Sequence, residues 1–290
     1  MLRAIRTAVA VLPFLLGGPS SLLAQDSLDM RAEATFTADS NVTRARNPQD
    51  RLSDRAFGLT LGKGLELPVG GSEHVRLLVS GSLGTEQFQT YKGLSRIFAG
   101  ADAELQYRQD AEFGTPTFSA FLRASRDEYD SALRDGSRYS VGISVRKPVT
   151  DRIDLFAALA SDRRHARNAV FDTRERSARL NVDYSLTPAG TLYLGAEVRR
   201  GDVVTTTPDT VATGNIARAE AVDDAFTNSG RVAYRVEARS VLATLGFNLA
   251  LAKSQALDIS WRFVRSTPIA GSSAIRYDVN QLSLSWLAQF

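Results

Sequence analysis

Apolar residues return at every second position through twelve separate stretches of this 290-residue chain. In one of them Leu59, Leu61, Leu65 and Leu67 share a parity, while Thr60, Gly62, Gly64 and Glu66 hold the other. The pattern covers residues 28–38, 57–67, 75–83, 97–107, 118–124, 139–145, 153–159, 178–186, 192–198, 241–251, 257–263 and 282–290. A period of two is that of a strand with unlike faces. No long segment of helical period interrupts the series, so the chain reads as one all-β domain. Such a domain has two ways to hide its apolar face. It packs that face inward and meets water with the other, or it turns the apolar face to lipid and keeps a polar lumen.

The connections separate these choices. After the even-numbered stretches the links are short and turn-like: 68–73, 109–115, 148–152, 187–190 and 252–255. After the odd-numbered ones they are mostly longer and polar: 40–53, 85–95, 127–137, 163–174 and 201–230, with a shorter one at 266–274. Short turns at one end and long loops at the other are the habit of outer-membrane barrels, whose tilted strands need about 9–11 residues to cross. Tyr107, Phe118, Tyr139, Tyr184, Trp286 and Phe290 fall toward strand ends, where interfacial aromatic girdles lie. The expectation is an antiparallel, 12-stranded transmembrane β-barrel with both termini periplasmic.

The first residues carry an export address. Arg3 and Arg6 precede the apolar run Ala8 to Leu16, and Leu22-Leu23-Ala24 offers a cleavage site. That is the anatomy of a secretory signal peptide, and Pro13 with Gly17-Gly18 breaks the run too early for a membrane anchor. Residues 1–24 are read as signal peptide and 25–290 as the barrel. Removing two arginines and no acids takes the net charge from +3 to +1, which gives a nucleic-acid partner no support. The chain has no cysteine, hence no disulfide framework. Mean hydropathy of −0.15 looks soluble, as an alternating barrel does.

The final stretch, LSLSWLAQF (282–290), ends on Phe290 with Trp286, Leu284 and Leu282 at alternate positions. It resembles the C-terminal strand signal of Gram-negative outer-membrane, porin-like proteins. That resemblance implies that Phe290 closes the barrel beside the first strand and marks the chain for the barrel-assembly machinery. ADSNVTRARN (38–47) is more weakly similar to the barrel of surface lipoprotein assembly modifiers, which would imply a role in export or assembly. The helical-repeat domain those proteins carry has no counterpart in this sequence.

With lipid on the apolar parity, the other parity faces the lumen. It carries Arg31, Arg76, Arg123, Arg146, Arg179, Arg199 and Arg262 against Glu33, Asp102, Glu104, Asp154, Asp162, Asp183, Glu197 and Asp258. Selective pores usually bias their rings to one sign, so this near balance predicts arginine–carboxylate pairing across the interior and weak charge selectivity. Two features resist the pattern. Lys63 falls on the lipid parity, to be relieved by a bulge or by snorkelling. Near Ser240 and Val241 the apolar parity switches, so either residues 231–240 lie above the membrane, where parity carries no constraint, or a bulge resets it. The long link contains NIARAEAVDDAF (215–226), a candidate short helix that could fold inward as a constriction, though a mobile surface loop is the expectation, since long loops are usually exposed. Of the two histidines, His74 sits at a short turn and His165 in a loop three residues after Asp162. Neither has a nucleophile or second carboxylate placed with it, and no metal or nucleotide motif is present, so neither catalysis nor a cofactor is expected. The sequence points to a passive conduit for small polar solutes, the alternatives being an export or assembly factor and a structural barrel with interacting loops.

Overall fold

The computed structural model describes residues 30–72, 74–110, 112–208, 211–226, 230–269 and 276–290; the signal peptide lies outside them. The strands are β1 (Met30–Asp39), β2 (Asp54–Pro68), β3 (Val75–Phe88), β4 (Arg96–Arg108), β5 (Thr117–Tyr129), β6 (Gly136–Pro148), β7 (Ile153–Ala166), β8 (Thr173–Thr187), β9 (Gly190–Pro208), β10 (Ala219–Val222), β11 (Arg231–Ala252), β12 (Gln255–Pro268) and β13 (Tyr277–Gln289). All but β10 form the wall, each antiparallel to its neighbours. β13 returns to β1 in register from Arg31↔Gln289 to Asp39↔Gln281. Phe290 N–H then donates to the Met30 carbonyl at 2.9 Å, so the last residue does lie on the closing seam. A closed sheet leaves no unpaired edge.

The parity assignment holds around the wall. Leu61, Leu83, Leu122, Ile143, Leu159, Leu194, Leu245 and Ile259 stand outward and exposed as a continuous apolar band. Lys63 belongs to this face in unbroken register with Met30 and Gly81. No bulge relieves it, which leaves its long stem reaching toward the polar rim. At the β2–β3 turn, Gly70 and Gly71 take φ of 62° and 69°, the left-handed pair a tight hairpin prefers.

Beyond the band at the long-loop end, polarity inverts. β9 and β11 run 19 and 22 residues, about twice what a crossing needs. No register shift occurs near Ser240, because β11 pairs continuously with β12 from Ala238 to Ala250. The same inward parity that carries Thr244 lower down carries buried Tyr234, Val236, Ala238 and Leu242 higher up. The environment changes sides; the strand does not. Inside the band the interior is polar and the outside apolar, whereas above it water covers Arg239 and a small core fills the interior.

Three aromatic residues lie flat against the inner wall over cross-strand glycines: Phe98 over Gly84, Phe121 over Gly142 and Tyr193 over Gly246. A Cβ at any of these glycines would collide with the ring. Gly246→Val is therefore expected to destabilise by roughly 1–3 kcal/mol through overpacking. Urea unfolding of the detergent-solubilised barrel should place Gly246→Ala between that variant and wild type.

A capped cavity as the candidate functional site

Three successive loops at the long-loop end use one device. After β3, β5 and β7 the chain makes a short 3-10 turn, at Lys92–Leu94, Ala132–Arg134 and Ala169–Phe171. The residue ending each turn reaches back to the strand it left. Ser95 Oγ accepts from Phe88 N–H at 3.0 Å, Asp135 Oδ1 from Tyr129 N–H at 2.7 Å and Asp172 Oδ1 from Ala166 N–H at 2.6 Å. Short polar side chains compete well for backbone groups in turns, and here they hold the loops compact.

The β9–β11 hairpin crosses the mouth on top of these loops. Once β9 passes Gly201 it has left its partner β8. Its upper edge bonds instead to the β1–β2 loop, with Thr206 N–H donating to Thr43 O at 2.8 Å and Thr205 Oγ1 to Arg44 O at 2.7 Å. That loop springs from the wall three strands beyond β11, so the hairpin must span the opening. Its tip is not a helix over 215–226. The chain turns through a single helical turn at Val211–Gly214, pairs as β10 with β11, then descends into the cap. Ala225 and Phe226 are fully or almost fully buried. Ala225 presses on Gly93, and the Phe226 ring tilts against Tyr91 with centroids 5.1 Å apart. A mobile surface loop would show none of these contacts, and the expectation of one is corrected: apolar Ala225 and Phe226 are buried against Gly93 and Tyr91 of the β3–β4 loop.

A buried ion pair latches the tip. Arg134 grips Asp223 through both guanidinium arms at 2.6 and 2.8 Å, and Thr206 Oγ1 donates to the same carboxylate at 2.6 Å. Arg134 also lies over the Phe171 ring at 4.1 Å. Burial alone pushes the Asp223 carboxyl up, but Arg134, the Thr206 hydroxyl and the Ala225 N–H together hold it below the usual aspartate range. Asp224 adds a hydrogen bond with the Ser131 hydroxyl.

Below the cap lies a cavity of roughly 440 Å³. Its roof includes Arg134, Arg164, Phe171 and Thr206, and its walls include Arg179, Tyr193, Glu197, Asp258 and Arg262. A polar strip of Thr35, Thr37, Thr244, Ser260, Ser283 and Ser285 comes from β1, β11, β12 and β13. This size falls within the range of small-molecule sites.

The charged positions foreseen for the lumen divide into layers. Toward the short turns, Arg146 approaches Asp154 at 3.6 Å, and Asp183 stands opposite Asp154 in register. Arg123 meets Asp102 at 3.3 Å and covers the Phe121 ring. Glu33 accepts from Thr35 at 2.8 Å and Glu104 from Gln106 at 2.9 Å, while Arg31 is exposed at the rim. At the cavity, Arg179 and Arg199 both bind Glu197, at 2.9 and 2.7 Å, and Arg199 adds Glu175 at 3.2 Å. Asp258 accepts from the Tyr193 hydroxyl at 2.9 Å. Arg262 makes no hydrogen bond or ion pair among the described residues, and its charged neighbours include Arg179 and Arg199. Arg164 spends one nitrogen on the Arg134 carbonyl and lies over Tyr129, meeting no carboxylate among the described residues. Arg262 and Arg164 are thus cations with no bound carboxylate, in a cavity whose lining also holds Asp39, Asp54, Glu86, Glu197 and Asp258.

Arg134, Asp223, Arg164 and Tyr193 were not singled out from sequence. One cue was available for the latch: two adjacent aspartates inside the small-apolar run AEAVDDAF. His165 lies half-exposed with Asp172 at 4.0 Å, and His74 is exposed against the Arg108 carbonyl; neither reaches the cavity.

Searched by sequence, the chain matches no family model and no curated protein. By structure it aligns with an outer-membrane channel from Pseudomonas putida F1 at a TM-score of 0.55 and 10% identity, over 93% of this chain and 100% of that one. The NanC porin aligns at 0.47 and 9%, over 89% and 99%. A calcium-bound outer-membrane phospholipase dimer of Salmonella typhi aligns at 0.46 and 11%, over 92% and 94%. Identities this low speak to the fold alone, and the first alignment carries the comparison. The chain is thus a closed antiparallel barrel of twelve wall strands, apolar without and polar within, similar in fold to the outer-membrane channel from Pseudomonas putida F1.

Proposed function

We propose that the protein is an outer-membrane channel that passes small polar solutes passively, with its long loops outside the cell and its short turns in the periplasm. The observation that carries this reading is the 440 Å³ cavity, walled by hydroxyls and arginines and covered by a hairpin rather than filled by side chains. Solute would meet Arg179, Arg199, Arg262, Glu197 and Asp258 first, then the Arg123–Asp102 and Arg146–Asp154 pairs on its way out. Phe290, exposed at the seam, is available to the barrel-assembly machinery before the barrel closes. No chemistry is assigned to the lumen, because neither histidine faces it.

An export or assembly role drew on residues 38–47, and those residues have structural work that explains them. Asn41 is fully buried and bridges the Ala45 and Asp278 carbonyls, and Asp39 holds Arg44 at 2.8 Å. They shape the cap.

Refolded protein in a planar bilayer should give brief, small-amplitude openings from a mainly closed state. Complete absence of open-state current at every voltage, in a barrel proved folded by its heat-modifiable migration, would remove the channel reading.

A further inference from the structure

The outer face of the barrel carries an arrangement that the channel reading does not use. Immediately beyond the apolar band, Arg200 of β9 stands directly opposite Arg176 of β8 on one side and Arg239 of β11 on the other. One residue pair higher, Arg163 of β7 faces Arg174 of β8. All five share the outward parity of Leu159, Ala178, Val198 and Val241, and all are exposed. Directly opposed cross-strand residues sit about 5 Å apart at Cβ, where like charges repel. Carboxylates do not resolve the crowd. Arg200 reaches Glu237 only at 3.8 Å, and Glu237 is shared with Arg218. Arg163, Arg176 and Arg239 have no hydrogen bond or ion pair from their side chains among the described residues. A notch of about 360 Å³ opens just above, lined by Arg163, Arg174, Arg218 and Arg235 with Asp172 and Asp202.

Five guanidinia in two adjacent rows, few carboxylates, and a location at the polar edge of a lipid-facing wall define one kind of ligand. We infer that this patch binds the phosphate groups of the lipid leaflet at the long-loop end, with Arg176, Arg200 and Arg239 clamping one phosphate across three strands. Guanidinium forks suit phosphate oxygens in bidentate geometry. The position selects lipid over free phosphate: the residues one step down each strand, Ala178, Val198 and Val241, already touch the acyl region. The inference rests on the membrane reading.

The test uses the full mature barrel, refolded in neutral detergent, with lipid A, its dephosphorylated form and inorganic phosphate as probes. Lipid A should be retained in native mass spectra and should raise the unfolding temperature. The triple variant Arg176→Gln, Arg200→Gln, Arg239→Gln should bind lipid A on the order of 100-fold more weakly, since each arginine at an anionic surface contributes about fivefold. Without lipid its unfolding temperature should equal or exceed that of wild type, because opposed like charges are gone. Equal binding of dephosphorylated lipid, unchanged affinity in the variant, or a basal loss of stability would each overturn the inference. An equal shift from inorganic phosphate alone would make the ligand a soluble anion and overturn the lipid assignment. A barrel that fails to enter vesicles at all would instead strike the membrane reading.

Discussion

Asp223→Ala should turn a mainly closed channel into a mainly open one. The substitution leaves Arg134 buried beneath the hairpin with no counter-charge, and breaking one partner of a buried pair costs about 3–5 kcal/mol. That cost falls on the closed state alone, where Arg134, Thr206 and the Asp223 carboxylate meet. It corresponds to a fall in the closed-to-open ratio of roughly 10²-fold to a few thousandfold, at about 1.4 kcal/mol per factor of ten. Open probability in planar bilayers reads it directly. Conservative Asp223→Asn keeps hydrogen bonding to Thr206 and should lie between the two. Acidity is a second handle, with a definite sign. The folded Asp223 carboxyl lies below its ordinary value of about 3.9, so the latch is at full strength above that pH. It is lost only as pH drops through the lowered value. Mild acidification to pH 5 should leave the cap shut. An Asp223→Ala channel as closed as wild type would mean that the hairpin is held elsewhere.

The latch also marks where sequence reading stops. Alternation located all twelve wall strands, because a lipid-facing side chain and a lumen-facing one obey opposite rules at every step. Leu59, Leu61 and Leu65 could be placed from that rule alone. It fails at Ser240, where β11 leaves the apolar band and the inside becomes the dry side. Tyr234, Val236 and Ala238 then looked out of phase, though the strand never slipped. Loop residues obey no such rule. Asp223 and Arg134 are 89 positions apart, and nothing local links AVDDAF to the turn after β5. The pairing expected of the lumen charges formed only in part, for a similar reason. Glu197 takes two arginines, Arg262 takes no acid and Asp258 binds a neutral tyrosine hydroxyl, so equal totals do not give a fully paired interior. Pairing is a property of geometry, and parity supplies only half of it.

A cation with no bound carboxylate in the path of ions should set their selectivity. Arg262 faces the cavity with Arg179, Arg199 and Glu197 near it and no carboxylate bound, so in the open channel its charge acts directly on passing ions and favours anions at that point. Arg262→Glu reverses two units of charge at that point. It also sets a new acid beside Arg179, which holds Glu197, and Arg199, which holds Glu197 and Glu175. A unit charge acting at about 4 Å is worth roughly 1 kcal/mol in water and about 4 kcal/mol at an effective dielectric of 20. Even the lower figure, applied twice, moves the permeability ratio on the order of tenfold or more toward cations. Reversal potentials under a salt gradient, measured on the Asp223→Ala background to keep the cap open, give the sign of selectivity. Arg262→Gln should fall between wild type and Arg262→Glu. The effect should shrink at high ionic strength, since a cavity open to water is screened within about 3 Å at 1 M salt. If all three proteins reversed at one potential, the ions would be passing somewhere other than this cavity.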